Sequence, residues 1–368
     1  MATIRLQNLH KAFDQFVAVR DANLTIEDGS FFVLLGPSGC GKTTTLRMIA
    51  GLEIPTSGQI LLDRDDVTFR RAAKRDIAFV FQLFALYPHM NVRKNLAYPL
   101  KSQGMAKAEI ESRIAEVARL LRIEELLNHP VSRLAGGDRQ RVALGRAIVR
   151  RPRAFLMDEP LGTLDAEFRD LMREELRQLH DRIGATTVYV THDQIEAMSM
   201  GDRIAVMSGG DVLQAGTPDE IYNSPTSLFV AGFIGSPPMN FLSAVGPVTP
   251  GSDSLRVNGS KVQIAPLAGG ISHGSVVLGA RPEHIRLSDS GALRGSVFGV
   301  EYMGARQILT VDTNAGRLRV RAPNDVRVAV GETVGLDFRP ERVIVFDGQS
   351  ERAIARQTHH SQARGGHG

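Results

Sequence analysis

A single cysteine, Cys40, occurs in 368 residues. That excludes an internal disulfide and a zinc site of four thiolates, and it agrees with a reducing compartment. Long apolar runs are also missing: nothing approaches the roughly 18 consecutive residues that a membrane-spanning helix requires. Residues 1–10 lack the apolar centre of a secretion signal, so a cytoplasmic location is expected. Neither sign of charge dominates. The 44 Lys and Arg against 40 Asp and Glu leave a formal net charge of +4, too little to select a nucleic-acid partner over an ordinary solvated surface. The one basic cluster of note, residues 146–153, abuts an apolar strand pattern.

What is present is an alternation of strand and helix patterns. The first 30 residues carry period-two pairs (Ile4 and Leu6, Val17 and Val19, Leu24 and Ile26) that read as half-buried antiparallel strands. Residues 31–35 form a continuous apolar run ending in Gly-Pro, the pattern of a strand covered on both faces, and residues 154–157 and 187–190 read the same way. Residues 43–51 read as a helix stopped by glycine. Ile110, Ile114, Val117 and Leu121 share one face of a helix over 107–121. Phe168, Met172, Leu176, Leu179 and Ile183 do so over 165–183. Strands alternating with helices predict a wound parallel sheet, an α/β fold. After about residue 235, where Ser236, Pro237 and Pro238 mark a break, short alternating strands are split by Gly, Pro, Asn and Asp. A pattern recurs there, with Arg281-Pro-Glu-His and Arg339-Pro-Glu-Arg at matching places, and predicts a duplicated small β-unit. Residues beyond about 350 have little to bury and are expected to be disordered.

Gly36, Pro37, Ser38, Gly39, Cys40, Gly41, Lys42 and Thr43 fit the pattern G-x-x-x-x-G-K-[ST], between a strand pattern and a helix pattern. Glycines let successive N–H groups point inward at phosphate oxygens, and the following helix adds its positive end. ATP with Mg²⁺ is the expected ligand. Lys42 is placed to reach the β- and γ-phosphates and the Thr43 hydroxyl to ligate the metal, with Thr44 next along the same turn. A thiol at a helix N-terminus is expected to have a lowered pKa, so Cys40 reads either as a site of alkylation or as a small space-filler. Asp158 and Glu159 close the second buried strand, putting one acid beside the metal and the other beside the attacking water, as general base or orienting group. His192 ends a third such strand, on the edge where ligands bind in wound sheets, which favours a γ-phosphate contact. Leu134, Ala135, Gly136, Gly137 and Asp138 open another helix and make a second anion-ready N-terminus. One nucleotide has no use for two such termini from one face, so this one is expected to serve the ATP of a second subunit.

Together these residues resemble the ATPase subunits of ABC transporters, over essentially the whole chain. The resemblance implies an α/β P-loop NTPase domain with a helical subdomain, followed by an all-β domain of OB-like barrels. Residues 36–43 resemble Walker A and residues 155–159 Walker B with its catalytic glutamate. Gln82 resembles the Q-loop glutamine, residues 134–138 the signature loop, residues 161–165 the D-loop and His192 the switch histidine. Phe13 corresponds to the aromatic that stacks on adenine. Catalytic roles for Gln82, Glu159 and His192 follow from the resemblance, as do metal contacts for Thr43, Gln82 and Asp158. Ala135, Gly136 and Gly137 are implied to touch the nucleotide of the other subunit. More narrowly, residues 85–90, residues 233–236 and the Arg-Pro-Glu motifs are similar to bacterial carbohydrate importers of the maltose and glycerol-3-phosphate type.

The implied boundaries are a nucleotide-binding domain over 1–235 with its helical subdomain at about 88–152, a β-domain over 236–350 and a tail over 351–368. The implied partners are a second copy, head to tail with two ATPs at the interface, and two membrane permeases docking near residues 83–90. A periplasmic solute-binding protein acts indirectly and a regulator meets the C-terminal domain, with no role for nucleic acid. The implied place is the cytoplasmic face of the inner membrane, held peripherally. Two departures stand out: Ala135 and Asp138 where the family usually has Ser and Gln, and Gly162 with Thr163 where Ser-Asn is common. A lost hydrogen bond to a charged group, about 1.5–3 kcal/mol, corresponds to a roughly ten- to hundred-fold loss of rate, so a slower enzyme is expected. Other readings are an importer ATPase for a non-sugar solute, an ATP-gated clamp with a degenerate signature, an exporter ATPase and a DNA-repair relative. Glu159 and His192 argue against the clamp. The β-domain disfavours the exporter, and the lack of long insertions between Walker A and the signature disfavours the repair protein.

Overall fold

The computed structural model describes residues 2–357 apart from Thr163, Asp165 and His273, with every side chain in that range but that of Phe168. The D-loop positions Thr163 and Asp165, and the tail beyond residue 357, therefore lie outside the described residues. Contacts divide the chain into two compact units, Met1–Pro218 and Asp219–Gly368.

The first unit opens with β1 (Ile4–Phe13), β2 (Phe16–Ile26), β3 (Phe31–Leu35), α1 (Lys42–Ala50), β4 (Ser57–Leu62), β5 (Asp65–Asp66) and β6 (Ile77–Val80). There follow α2 (Val92–Ser102), α3 (Lys107–Leu121), α4 (Gly136–Ile148), β7 (Ala154–Asp158), α5 (Ala166–Ile183), β8 (Thr186–Thr191), α6 (Gln194–Met200), β9 (Arg203–Ser208) and β10 (Asp211–Gly216). Strands β1 and β2 pair antiparallel, Ile4 opposite Ile26, as their alternation predicts. The six-stranded sheet runs β10-β9-β3-β8-β7-β6, and β3, β8, β7 and β6 are mutually parallel.

Every residue of β3, β7 and β8 is buried, because both faces are covered. On one face Phe32, Leu34, Leu156 and Val190 meet Leu46 and Ile49 of α1 and the antiparallel sheet in one apolar cluster. On the other, the Phe31 ring lies edge-on to His180 of α5, with centroids 5.1 Å apart. Helices α2, α3 and α4 pack on one another, with Ile110, Ile114, Val117 and Leu121 inward as predicted. Gly145 permits the close approach: a Cβ there would stand 2.9 Å from Leu96 and 3.0 Å from Leu121.

The second unit begins with the short helices α7 (Pro218–Asn223), which spans the division, and α8 (Leu228–Phe233). Strands β11 (Asn240–Val245), β12 (Ser254–Val257), β13 (Ser260–Gln263), β14 (Ser275–Ala280), β15 (Ile285–Leu287) and β16 (Leu293–Met303) follow. The last are β17 (Arg306–Thr313), β18 (Gly316–Pro323), β19 (Thr333–Phe338) and β20 (Ile344–Asp347). They form two five-stranded sheets, β13-β12-β11-β14-β20 and β15-β19-β16-β17-β18, around one shared apolar core. The repeated Arg-Pro-Glu motifs turn out to be the two corners, β14 to β15 and β19 to β20, where the chain changes sheets.

Two observations differ from the boundaries expected from sequence texture. Residues 219–235 make their contacts within the second unit: the Arg281 guanidinium donates to the carbonyls of Tyr222 and Ile234, and Leu228 packs on the cluster of Met239 and Phe346. Residues 351–357, expected in the disordered tail, are tied by bridges from Arg352 to Ser227, Ala353 to Phe346 and Arg356 to Leu267. Partners distant in the sequence order both segments, the Arg281 guanidinium and the Met239–Phe346 cluster for 219–235 and backbone bridges for 351–357.

Candidate active site

Strand register brings the candidate residues together. Leu35 is level with Thr191, Asp158 with Val190 and Val80 with Met157. The loops carrying Gly36, Glu159, His192 and Gln82 therefore leave the sheet at one edge, where ligands bind in such folds.

The loop after β3 is built to curl. Gly39 and Gly41 have φ of 79° and 102°, values that side chains rarely adopt. A Cβ on Gly36 would stand 2.2 Å from the Met207 carbonyl oxygen, and one on Gly41 2.3 Å from that of Ala18, while Gly39 has nothing within 4 Å. Lys42 is 4% exposed, and its Nζ is folded into the loop, donating to the carbonyls of Gly36 at 2.8 Å and Pro37 at 2.9 Å. The first amides of α1, at Lys42, Thr43 and Thr44, have no intrahelical acceptor. A cationic, donor-lined concavity of this kind fits a phosphate chain. The lowered pKa expected of Cys40 is overturned, and the space-filling reading holds: the thiol is buried, and desolvation pushes its pKa up despite the nearby Lys42. It fills space in the core beneath the loop.

The Thr43 hydroxyl donates to Asp158 Oδ1 at 2.8 Å. Burial raises the pKa of Asp158, against the opposing effects of Thr43 and Arg47. Among the described residues no cluster of three or more His, Cys, Asp or Glu side chains is positioned to hold a metal. The hydroxyl–carboxylate pair suits a small hard cation that keeps most of its ligands from substrate and water.

Glu159 adopts φ of 45°, a conformation that strains a residue with a Cβ and recurs at functional sites. Its amide donates to the Val190 carbonyl at 3.0 Å and its carbonyl accepts from Gly162 at 3.2 Å. Its Oε2 lies 3.3 Å from His192 Nδ1. A Cβ on Gly162 would stand 3.7 Å from Glu159 Oε2 and 3.9 Å from Gln82 Nε2, so Gln82 faces the same space. Phe13 is 43% exposed on the hairpin whose Ala18 abuts Gly41, with Lys11 Nζ 4.5 Å above its ring. Ala135 caps α4 without a side-chain bond. No hydrogen bond or ion pair among the described residues joins residues 134–138 to the loop at 36–43.

Residues 19–162 match the family model for ABC transporters, residues 235–285 the MalK OB fold domain and residues 278–346 the TOBE domain. The chain is 46% identical over 372 residues to the trehalose/maltose import ATP-binding protein MalK of Thermococcus litoralis, covering 96% of this chain and 100% of that protein. The chain belongs to the ABC transporter ATP-binding proteins. Among this family it is also 46% identical over 357 residues to the sn-glycerol-3-phosphate import ATP-binding protein UgpC of a Ruegeria species, covering 96% and 100% of the two. A solved dimeric ATP-binding cassette in a post-hydrolysis state, bound to ADP and Pi, matches with a TM-score of 0.53 and 32% identity. That match covers 58% of this chain and 98% of that one. As a member of the family this ABC protein is an ATPase, and its α/β cassette with a following all-β region is the architecture that the resemblance implied.

Sequence reasoning missed the groups that anchor the neighbours of His192 in this ABC cassette. Glu196 is 3% exposed and accepts from Tyr189 at 2.9 Å and Thr191 at 2.6 Å; burial raises its pKa. Asp193 caps α6 through the amides of Ile195 and Glu196, and Arg169 spans from the Leu164 carbonyl at 2.9 Å to Asp193 at 3.9 Å. His192 thus sits between two anchored neighbours. The spacing of Asp193 and Glu196 reads as a capping box, which conceals that Glu196 turns inward to the strand.

Proposed function

We propose that this chain is the ATP-hydrolysing subunit of an importer for a carbohydrate or related solute, such as a sugar, polyol or sugar phosphate. The observation that carries the reading is the convergence of the phosphate-cradling loop, the Thr43–Asp158 pair and the Glu159–His192 pair on one sheet edge. The import proteins with which it is 46% identical support the solute class.

In this reading Lys42 and the amides of residues 36–44 hold the phosphate chain, and Phe13 stacks on adenine. Thr43, Asp158 and Gln82 hold Mg²⁺, which when bound neutralises charge on the phosphate oxygens. Glu159 orients the attacking water and takes its proton, and His192, braced by Glu196 and Arg169, contacts the γ-phosphate. Ala135, Gly136 and Gly137 come from a second copy, head to tail, and complete the site from the far side. Residues 83–90 dock on two permease subunits at the cytoplasmic face of the membrane, a periplasmic binding protein delivers the solute, and the second unit receives regulatory input. No helix among the described residues is long and apolar enough to cross a membrane, so the pathway is assigned to the permeases.

The test is ATP turnover in the assembled complex for wild type and Glu159→Gln. Loss of a general base lowers turnover by about 10²–10⁴-fold while nucleotide binding persists. Equal turnover in the two would sink the assignment. Uptake of labelled trehalose, maltose and glycerol 3-phosphate by the same complex tests the solute class, and transport of none of these or of related carbohydrates refutes it.

A further inference from the structure

The two Arg-Pro-Glu corners are twins in sequence with different fates in the structure. They meet: the Arg339 amide donates to the His284 carbonyl at 3.1 Å, and Ile285 lies opposite Phe338. At the first corner every nitrogen of the Arg281 guanidinium donates, to the carbonyls of Tyr222 and Ile234, and the group lies 3.6 Å from the Tyr222 ring centroid. At the second corner the Arg339 side chain has no hydrogen-bond or ion-pair partner among the described residues, and its Nε is buried. Glu283 Oε2 and His284 Nδ1 are likewise buried without hydrogen bonds. Three such atoms in adjoining residues is more than a folded interior normally keeps, and such a cluster calls for an explanation.

These residues border a cavity of about 720 Å³, within the range of small-molecule sites. Arg286, Arg306, Arg321 and Arg339 line it. Among the described residues its only acid is Glu283, which already accepts from the Tyr222 hydroxyl and lies 3.9 Å from Arg321. Asp337, opposite Arg286 in the ladder, forms no ion pair with it. Burial lowers the pKa of His284, so the ring adds hydrogen-bonding capacity rather than charge. Four guanidinium groups make this space cationic, Arg286 and Arg306 from exposed positions and Arg321 while also donating to the Ser236 carbonyl at 2.8 Å, and their paired N–H donors match phosphate oxygens. The cavity exceeds an inorganic phosphate in size, and its remaining wall is largely apolar, which an organic body would cover.

We propose that this cavity binds a phosphate monoester of sugar-phosphate size. Its use as a regulatory input rests on the importer reading above; the binding does not.

Calorimetric titration of the full-length protein in saturating ADP, which occupies Walker A, tests it. The probes are glucose 6-phosphate, fructose 6-phosphate and glycerol 3-phosphate, with glucose and inorganic phosphate as controls. At least one ester is expected to bind saturably, glucose not at all, and inorganic phosphate at least about tenfold more weakly. Arg306→Ala with Arg339→Ala is expected to weaken the ester at least about tenfold. Its unliganded Tm should not move, since neither side chain has a described partner to lose. No ester binding, equal affinity for inorganic phosphate, or undiminished affinity in the double variant overturns the proposal. ATP turnover of the assembled complex with and without the ester is a separate readout. A change in wild type that is absent from the double variant supports regulation, and binding with no such change overturns the regulatory role alone.

Discussion

Asp158 is a residue at which burial and chemistry pull in opposite directions. Desolvation raises its pKa above the ordinary value of 3.8, so the folded state binds this proton more tightly than the unfolded chain. The stabilisation is complete below about pH 3.8 and is lost as pH rises through the folded pKa. Asp158→Asn removes the term. Thermal unfolding of the nucleotide-free protein should show the Asn variant gaining on wild type as pH rises from about 4, then levelling; a difference independent of pH would contradict this. The same variant should lose Mg²⁺-dependent turnover. Ala135 and Asp138 make the opposite case, two departures in the sequence that are expected to slow turnover. Asp138 lies 3.8 Å from Arg141, which also holds Glu175 by two bonds, so replacing Asp138 leaves that pair intact. Ala135→Ser with Asp138→Gln is expected to raise stimulated turnover, by up to about ten- to hundred-fold. Unchanged turnover would mean that the backbone amides alone serve the phosphate.

At the scale of elements, the segment after Gln82 is held from a distance. Phe84 and Ala85 adopt φ of 62° and 47°, and Arg146 of α4 donates to both carbonyls, at 3.0 and 2.8 Å, with its guanidinium 5.4 Å from the Tyr87 ring centroid. Arg146→Ala should speed amide exchange over residues 83–90 by about ten- to hundred-fold, the equivalent of one charge-assisted bond. Turnover stimulated by the permeases should fall more than basal turnover. Exchange rates equal to wild type would show that the strained turn holds itself. None of this was legible beforehand: residues 146–153 read as a basic cluster, and nothing local links position 146 to position 85. Walker A was legible because its chemistry is carried by eight consecutive residues, and β3, β7 and β8 because strands buried on both faces must be apolar throughout.

For the whole molecule, the second unit should depend on residues that look like the end of the first. A fragment 218–357 keeps the Tyr222 and Ile234 carbonyls on Arg281, whereas 236–357 strips a buried guanidinium of its acceptors. The shorter fragment should be less stable by at least about 2 kcal/mol, read as a lower denaturant midpoint; equal midpoints would return the boundary to residue 235. The sequence by itself determined the nucleotide chemistry, the α/β class and the family, since each rests on local spacing and on the alternation of buried runs. It also exposed the repeated Arg-Pro-Glu motif. Only the tertiary structure decided what the motif does, satisfying Arg281 with backbone carbonyls and leaving Arg339 beside an arginine-lined cavity. It likewise buried Cys40 and turned Glu196 inward beside His192. These outcomes depend on which distant carbonyls and hydroxyls the folded chain brings within hydrogen-bond reach, and no local pattern encodes that.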